Sequence, residues 1–224
     1  MNRLEQVQAR IRSAAEGAGR SSRDVALLAV SKKQPLERIG ALIAAGQRRF
    51  GENYVDEALG KMARLADHGL EWHFIGPIQS NKTRALAESF DWVQSVDRAK
   101  VVRRLNDQRP AGMAPLNVLI QVDLDDEAQK AGCAPTEIED LAATIEAATN
   151  LSLRGLMAIP APRADPAEQT AVFARLHRLY QALAERHPSV DTLSAGMSAD
   201  LEAAVAAGST MVRIGTDLFG PRPD

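Results

Sequence analysis

The sequence predicts an α/β protein that folds as a single (β/α)8 TIM-type barrel over residues 1–224, with an extra helix ahead of the first strand. Two observations lead to this class. Eight short runs that read as strands alternate with segments whose apolar residues recur at helical spacing, and no linker or low-complexity stretch separates them. Such alternation implies parallel strands, and eight units imply closure. An open doubly wound sheet is the competing architecture, disfavoured by the count and by the compactness of each unit.

Leu4, Val7 and Ile11 mark an amphipathic helix over about residues 2–18, closed by Gly17 and Gly19. The run 25–35, VALLAVSKKQP, holds the first strand, with Leu28, Val30 and Lys32 on one face by period-two alternation. Residues 35–46 form a helix with Pro35 in its first turn and Gly46 at its end. Strand two covers 48–53 and is followed by a helix over 54–68. Strand three covers 71–77, after which Ser80 as N-cap opens a helix that reaches residue 90. Strand four (91–96) precedes a helix over 98–108 that carries Val101, Val102 and Leu105. The β-branched run 116–124 is the clearest strand.

A helix over 135–149 and a sixth strand over 151–159 come next. The long helix 166–187 places Val172, Leu176, Leu179 and Leu183 on one side. Strand seven (192–197), a helix (199–207) and strand eight (211–219) complete the series. Only residues 220–224 then remain, so the last helix of a regular barrel is missing. The N-terminal helix is expected to cover that outer face, because strands buried on both faces need a helical layer.

Composition narrows the function. Apolar residues make up 45% and charged residues 25%, enough for a sizeable core in a soluble protein. The 27 Lys and Arg against 29 Asp and Glu include only scattered pairs such as Arg48-Arg49 and Arg103-Arg104, not the basic stripe of a nucleic-acid binder. One cysteine, Cys133, excludes an intrachain disulfide, and the four histidines show no zinc spacing. A reducing cytoplasm fits. No targeting segment is visible, and no apolar run reaches the roughly 18 residues of a membrane helix.

Barrels of this kind place chemistry at the carboxyl ends of the strands, commonly with a phosphate held by the loops after strands seven and eight. At the first of these loops Gly196 allows close backbone approach to an anion, and Ser198 opens a helix with a hydroxyl and free N–H groups. At the second, Arg213-Ile214-Gly215-Thr216 repeats a small residue beside a hydroxyl. Taken singly, Ser198 reads better as an N-cap and Gly215 as a packing glycine. Together, at both expected loops, they favour a phosphate site.

Arg213 shares parity with Gly215 and so projects into the barrel mouth, unless it is a structural arginine in a rim salt bridge. Lys32 neighbours strand eight if the barrel closes. A partly desolvated lysine beside a phosphate pocket suggests Schiff-base chemistry, because burial lowers its pKa and frees the nucleophilic amine. Lys33 reads as a surface lysine. His73 reads as a satisfied core or rim histidine, and Tyr180 as packing within an outer helix. Tyr54, near the mouth, is a weak candidate for a second acid/base; Asn81 and Lys82 either approach the ligand or form a solvated pair.

The segments AVSKKQP, FGENYVDE, EWHFIGPIQSNK, RGLMAIP, LSAGMSADLEAAVAAGSTMVRIGT and the terminal FG resemble the pyridoxal-phosphate homeostasis protein family, over about residues 27–220. That family's fold is similar to the barrel of the alanine racemase N-terminal domain. The resemblance implies pyridoxal 5′-phosphate (PLP) as cofactor, held as a Schiff base on Lys32, with phosphate contacts from Ser198, Gly215 and Thr216. It also sets Arg213 against the pyridine nitrogen and Asn53 near the ring. A guanidinium there disfavours protonation of that nitrogen and weakens the cofactor as an electron sink.

The implied function is intracellular PLP (vitamin B6) homeostasis by a cytoplasmic monomer, with PLP and PLP-dependent apoenzymes as partners and no established reaction. The alternative is a weak PLP-dependent amino-acid racemase or a Schiff-base aldolase. Racemisation needs an acid/base on each face, and the second one in alanine racemase comes from a separate β-domain of a partner subunit. Lys130 resembles a loop lysine of the family but reads first as a surface residue. Gln34 stands where the family often carries a further lysine.

Overall fold

The computed structural model describes residues 2–125 and 131–220. Its strands are β1 (Ala26–Val30), β2 (Arg49–Glu52), β3 (Glu71–Phe74), β4 (Trp92–Val96), β5 (Leu116–Gln121), β6 (Leu151–Met157), β7 (Thr192–Ser194) and β8 (Met211–Ile214). They pair in sequence order, all parallel, into a closed eight-stranded barrel. β1 and β8 make the closure, with Ala26, Leu27, Leu28 and Ala29 opposite Met211, Val212, Arg213 and Ile214.

The helices are α1 (Arg3–Gly17), α2 (Leu36–Ala44), α3 (Val55–Arg64), α4 (Thr83–Ser89), α5 (Ala99–Gln108), α6 (Ile138–Glu146), α7 (Pro166–Ala184), α8 (Leu201–Ala206) and α9 (Thr216–Phe219). None of the described helices is long and apolar enough to cross a membrane. Alternate strand residues face outward onto helix stripes such as Ile39, Leu42 and Ile43 of α2, making one continuous core. Inward residues form two smaller clusters: Leu28, Ile75 and Met211, and Trp92, Leu119 and Met157. The rest of the interior is polar, with His73, Gln94, Ser194 and Arg213 all buried.

At one register shift a glycine is sterically required. β6 slips register against β5 between Val118 and Leu119, and Gly155 sits there at φ +140°. A Cβ would fall 1.9 Å from the carbonyl oxygen of Thr192, so no side chain fits.

The N-terminal helix occupies the expected place. Its capping box pairs the Asn2 side chain with the Glu5 N–H and the Glu5 carboxylate with the Asn2 N–H, each at 2.9 Å. Its buried stripe is Leu4, Val7, Ile11 and Ala15, and the helix packs on α8 and α9.

Several expectations about the ends of elements need correction, four of them near the site or its caps. Strand eight stops at Ile214, because the Gly215 carbonyl accepts from the Leu218 and Phe219 N–H groups and turns the chain into α9. The run that resembled strand there buries Leu218 and Phe219 as helix instead. Strand seven stops at Ser194, so residues 195–197 are irregular, and α8 starts at Leu201 behind Asp200, not at Ser198. Ser80 is not a side-chain cap: it begins a 3-10 turn, Ser80–Lys82, and its carbonyl accepts from Thr83 Oγ1 at 3.0 Å.

Candidate functional site

The site is built at the carboxyl ends of the strands, beginning with the turn that carries Lys32. The Ser31 N–H still donates to the Gly51 carbonyl (3.0 Å), extending the β1–β2 ladder by one bond. Lys33 then takes φ +58°, the left-handed region that side chains rarely adopt, and the Gln34 N–H returns to the Ser31 carbonyl at 3.0 Å.

Buried charges pin this turn from outside the barrel. Ser31 Oγ donates to Glu52 Oε1 at 2.6 Å, Lys61 Nζ donates to the same oxygen at 2.7 Å and to the Ser31 carbonyl at 2.7 Å, and the Lys33 N–H donates to Glu57 at 2.5 Å. Burial pushes the Glu52 carboxyl above its ordinary range, with the Lys61 and Ser31 hydrogen bonds opposing the shift.

Lys32 lines a cavity of about 270 Å³ together with Asn53, Ser198, Arg213, Gly215 and Thr216. All six residues singled out in the sequence therefore meet in one place. Val30, Ile75, Ile159 and Met197 supply apolar walls, and Gln34 is a further polar lining residue. The volume sits just below the roughly 300 Å³ at which drug-sized ligand sites begin, so a small ligand fits.

Arg213 is 3% exposed and enters from β8. Its Nη1 donates to the carbonyl (2.7 Å) and Oγ (2.8 Å) of Ser194, and its Nη2 donates to the Ala158 carbonyl at 2.8 Å. All three acceptors are neutral, and no carboxylate among the described residues forms an ion pair with it. Burial lowers its pKa to about 10, so it remains cationic at neutral pH. The rim salt bridge considered from sequence is thus not what holds it.

Two features of the cavity bear on the ligand it can take. A Cβ built on Gly215 would meet only ordinary contacts, Val30 O at 3.4 Å and Val30 Cβ at 3.6 Å, so internal packing does not demand glycine there and the open space belongs to the cavity. Asn53 Oδ1, an acceptor, is buried without a hydrogen-bond partner, an arrangement that proteins rarely leave uncompensated, so this position calls for a donor on the ligand. The donors that line the cavity are the hydroxyls of Ser198 and Thr216, the Lys32 amine and the Arg213 guanidinium.

The loops carrying Ser198 and Thr216 are tied together by α1. Arg10 donates to the Ser198 carbonyl (2.9 Å), to Asp217 (2.5 Å) and to both oxygens of Glu202 (2.7 and 2.9 Å).

Other candidates fall outside the cavity. Tyr54 is half exposed and lines a neighbouring hollow with Asp56, Phe74 and Lys82, whose Nζ is paired with Asp56 at 2.7 Å. Tyr180 packs partly buried against the main core. His73 is fully buried and hydrogen-bonded through both ring nitrogens, a satisfied interior histidine as expected. Cys133 is buried, and burial pushes its thiol up to about 12, which leaves it unreactive. Lys130 lies outside the described residues. Sequence reading missed Lys61 and Arg10; for Lys61 a signal existed, since Ala58, Lys61 and Leu65 share one buried helical stripe.

A family model described as "Alanine racemase, N-terminal domain" matches residues 3–223. A pyridoxal phosphate homeostasis protein of Pseudomonas aeruginosa is 58% identical over 219 residues, covering 98% of this chain and 94% of the relative. The protein of the same name from Escherichia coli K12 is 52% identical over 222 residues, covering 98% and 95%. Among solved structures, PipY of Synechococcus elongatus with PLP bound superposes with a TM-score of 0.81 at 38% identity, covering 88% of this chain and 93% of that one. Alanine racemase from Corynebacterium glutamicum shares the fold, with a TM-score of 0.68 at 19% identity over 99% of this chain and 62% of its own.

Proposed function

The chain belongs to the alanine racemase N-terminal domain family and, within it, to the pyridoxal phosphate homeostasis proteins, and from that membership we propose that it binds PLP and serves intracellular vitamin B6 homeostasis. The observation that carries the reading is a cavity that brings Lys32 and the buried cation Arg213 together with Ser198, Gly215 and Thr216. When bound, PLP supplies an aldehyde that condenses with a primary amine, and Lys32 is the amine in reach of the cavity as a Schiff-base partner. Thr216 and Ser198 offer hydroxyl donors to the phosphate, Gly215 leaves room for it, and Arg213 presents N–H donors to the ring nitrogen and keeps it unprotonated.

The role assigned is carriage and supply by a cytoplasmic monomer, with PLP-dependent apoenzymes as recipients. Tyr54 stands outside the cavity, which speaks for carriage over two-base racemisation.

The purified protein tests this directly. It is expected to show visible absorption, and borohydride is expected to fix the cofactor on the peptide containing Lys32. Lys32→Ala is expected to abolish that product while keeping part of the phosphate-anchored affinity in equilibrium dialysis. A colourless protein with no modified Lys32 overturns the cofactor reading, and robust amino-acid turnover overturns carriage.

A further inference from the structure

The barrel interior is crossed end to end by hydrogen-bonded side chains that begin at the cavity. Arg213 Nη1 donates to Ser194 Oγ (2.8 Å), Ser194 Oγ donates to Gln94 Oε1 (2.7 Å), and Gln94 Nε2 donates to His73 Nδ1 (2.8 Å). His73 Nε2 then meets Glu71 Oε1 at 2.7 Å. Glu71, the first residue of β3, opens into a basin of about 1030 Å³ at the amino-terminal end of the barrel, where Arg49 pairs with it at 3.2 Å. Ser194, Gln94 and His73 are buried, and none of the three lines the cofactor cavity.

All these bonds point the same way. Burial lowers the pKa of His73, so its ring is neutral; with Nδ1 accepting from Gln94, its proton sits on Nε2 and is donated to Glu71. Hydrogen bonding from His73 in turn holds the Glu71 carboxyl below its ordinary range, so the chain ends on an anion. A cation at one end, an anion at the other and donors aligned between them polarise one another.

The arrangement costs burial of four polar groups where aliphatic side chains normally fill the barrel. Its local effect is on Ser194. Gln94 Oε1 accepts the hydrogen bond of the Ser194 hydroxyl, so Ser194 Oγ turns a lone pair toward Arg213. Reversing the Gln94 amide would offer Ser194 a donor instead, turn the hydroxyl proton toward the guanidinium and break that bond.

We propose that Gln94 and His73 are positioning residues that act through Ser194 to hold the Arg213 guanidinium in its aim at the cavity, so that the amino-terminal end of the barrel is coupled to the bound ring. The part that concerns the ring rests on the PLP reading; the part that concerns Arg213 does not.

Two readouts keep these apart. In the ligand-free protein, nitrogen-15 NMR of the arginine side chains reports the guanidinium itself. Ser194→Ala and the volume-conserving Gln94→Met are expected to shift and broaden the Arg213 signal, with circular dichroism confirming the fold. Glu71→Ala, at the open end and away from the core, is expected to cause a smaller shift, and Glu71→Gln, which keeps a carbonyl acceptor for His73, is expected to restore the wild-type signal. In the PLP-loaded protein Ser194→Ala, Gln94→Met and Glu71→Ala are expected to move the visible band and weaken affinity by about three- to tenfold, and Glu71→Gln to behave as wild type.

Unchanged Arg213 signals in folded Ser194→Ala and Glu71→Ala overturn the proposal. A shifted Arg213 signal with an unchanged visible band and affinity overturns its coupling to the ring. A wild-type protein that takes up no PLP overturns the cofactor reading, and the Arg213 signals still decide whether the relay holds.

Discussion

Lys61 Nζ lies 2.7 Å from Glu52 Oε1, and both side chains are buried against the turn that carries Lys32. Removing one partner of such a pair strands the other charge in a poor solvent. Lys61→Met is expected to cost about 3–5 kcal/mol in urea unfolding, and the double variant Lys61→Met/Glu52→Gln to recover most of it. If the single and double variants are equally unstable, the pair is not what stabilises the turn.

The proposed phosphate end can be dissected residue by residue. Thr216→Val and Ser198→Ala each remove one hydroxyl donor and are expected to weaken PLP binding by about 1.5–3 kcal/mol, the range for a hydrogen bond to a charged group. Gly215→Ala is expected to abolish most PLP binding by filling the cradle, yet to leave the melting temperature near wild type, since its new Cβ meets nothing closer than 3.4 Å. Absorbance titration and thermal melts of each variant check both halves.

Deleting residues 2–18 is expected to lower the melting temperature sharply by exposing the outer surface that Leu4, Val7, Ile11 and Ala15 cover. Ile11→Ala alone is expected to cost about 2–5 kcal/mol. Arg10→Ala, at a half-exposed network, is expected to cost only about 1 kcal/mol of stability, and it should also weaken PLP affinity, because Arg10 grips the Ser198 carbonyl and Asp217 at once. An unchanged melting temperature on deletion would show that the helix does not seal the barrel.

His187, just beyond α7, meets Glu146 at 2.7 Å through Nδ1 and Glu139 at 3.3 Å through Nε2. Burial alone pulls its pKa down, but the two carboxylates outweigh burial and the net shift is upward. The folded state therefore holds the proton more tightly than the unfolded chain. The resulting stabilisation is complete below the unfolded value near about 6.5 and is lost as pH rises through the folded value. Denaturation of wild type and His187→Gln across pH is expected to show the largest difference on the acid side, shrinking above neutrality; a difference that grows with pH contradicts the ion pairs.

Much of the barrel was legible because strand parity and helix stripes report burial directly. Leu28, Val30 and Lys32 do lie on one line from the interior to the cavity, and the loops after strands seven and eight bring Ser198, Gly215 and Thr216 to the cavity that Lys32 lines. Element ends were less legible. Met211–Phe219 looks like one apolar run, yet Gly215 breaks it, and Leu218 and Phe219 are buried equally well as a helical turn. Ser198 carried the chemistry of a cap, but Asp200, whose Oδ1 accepts from the Met197 N–H at 2.5 Å, stands directly before α8.

The relay was hidden for a different reason. Gln94 and Ser194 read as ordinary polar residues in short strands, and only closure of the barrel reveals that they face each other 100 positions apart.

The grip of Arg10 on Glu202, across 192 positions, also sets an order in time. α1 is synthesised ahead of every strand of the barrel, whereas α8 and α9, on which it packs, follow seven and eight of them. Until then α1 has no partner for its apolar stripe, and the loops bearing Ser198 and Thr216 do not exist. Early chain segments must wait exposed, a situation in which chaperones commonly intervene. A chain interrupted before residue 198 lacks Ser198, Arg213, Gly215 and Thr216 and therefore has no complete cavity.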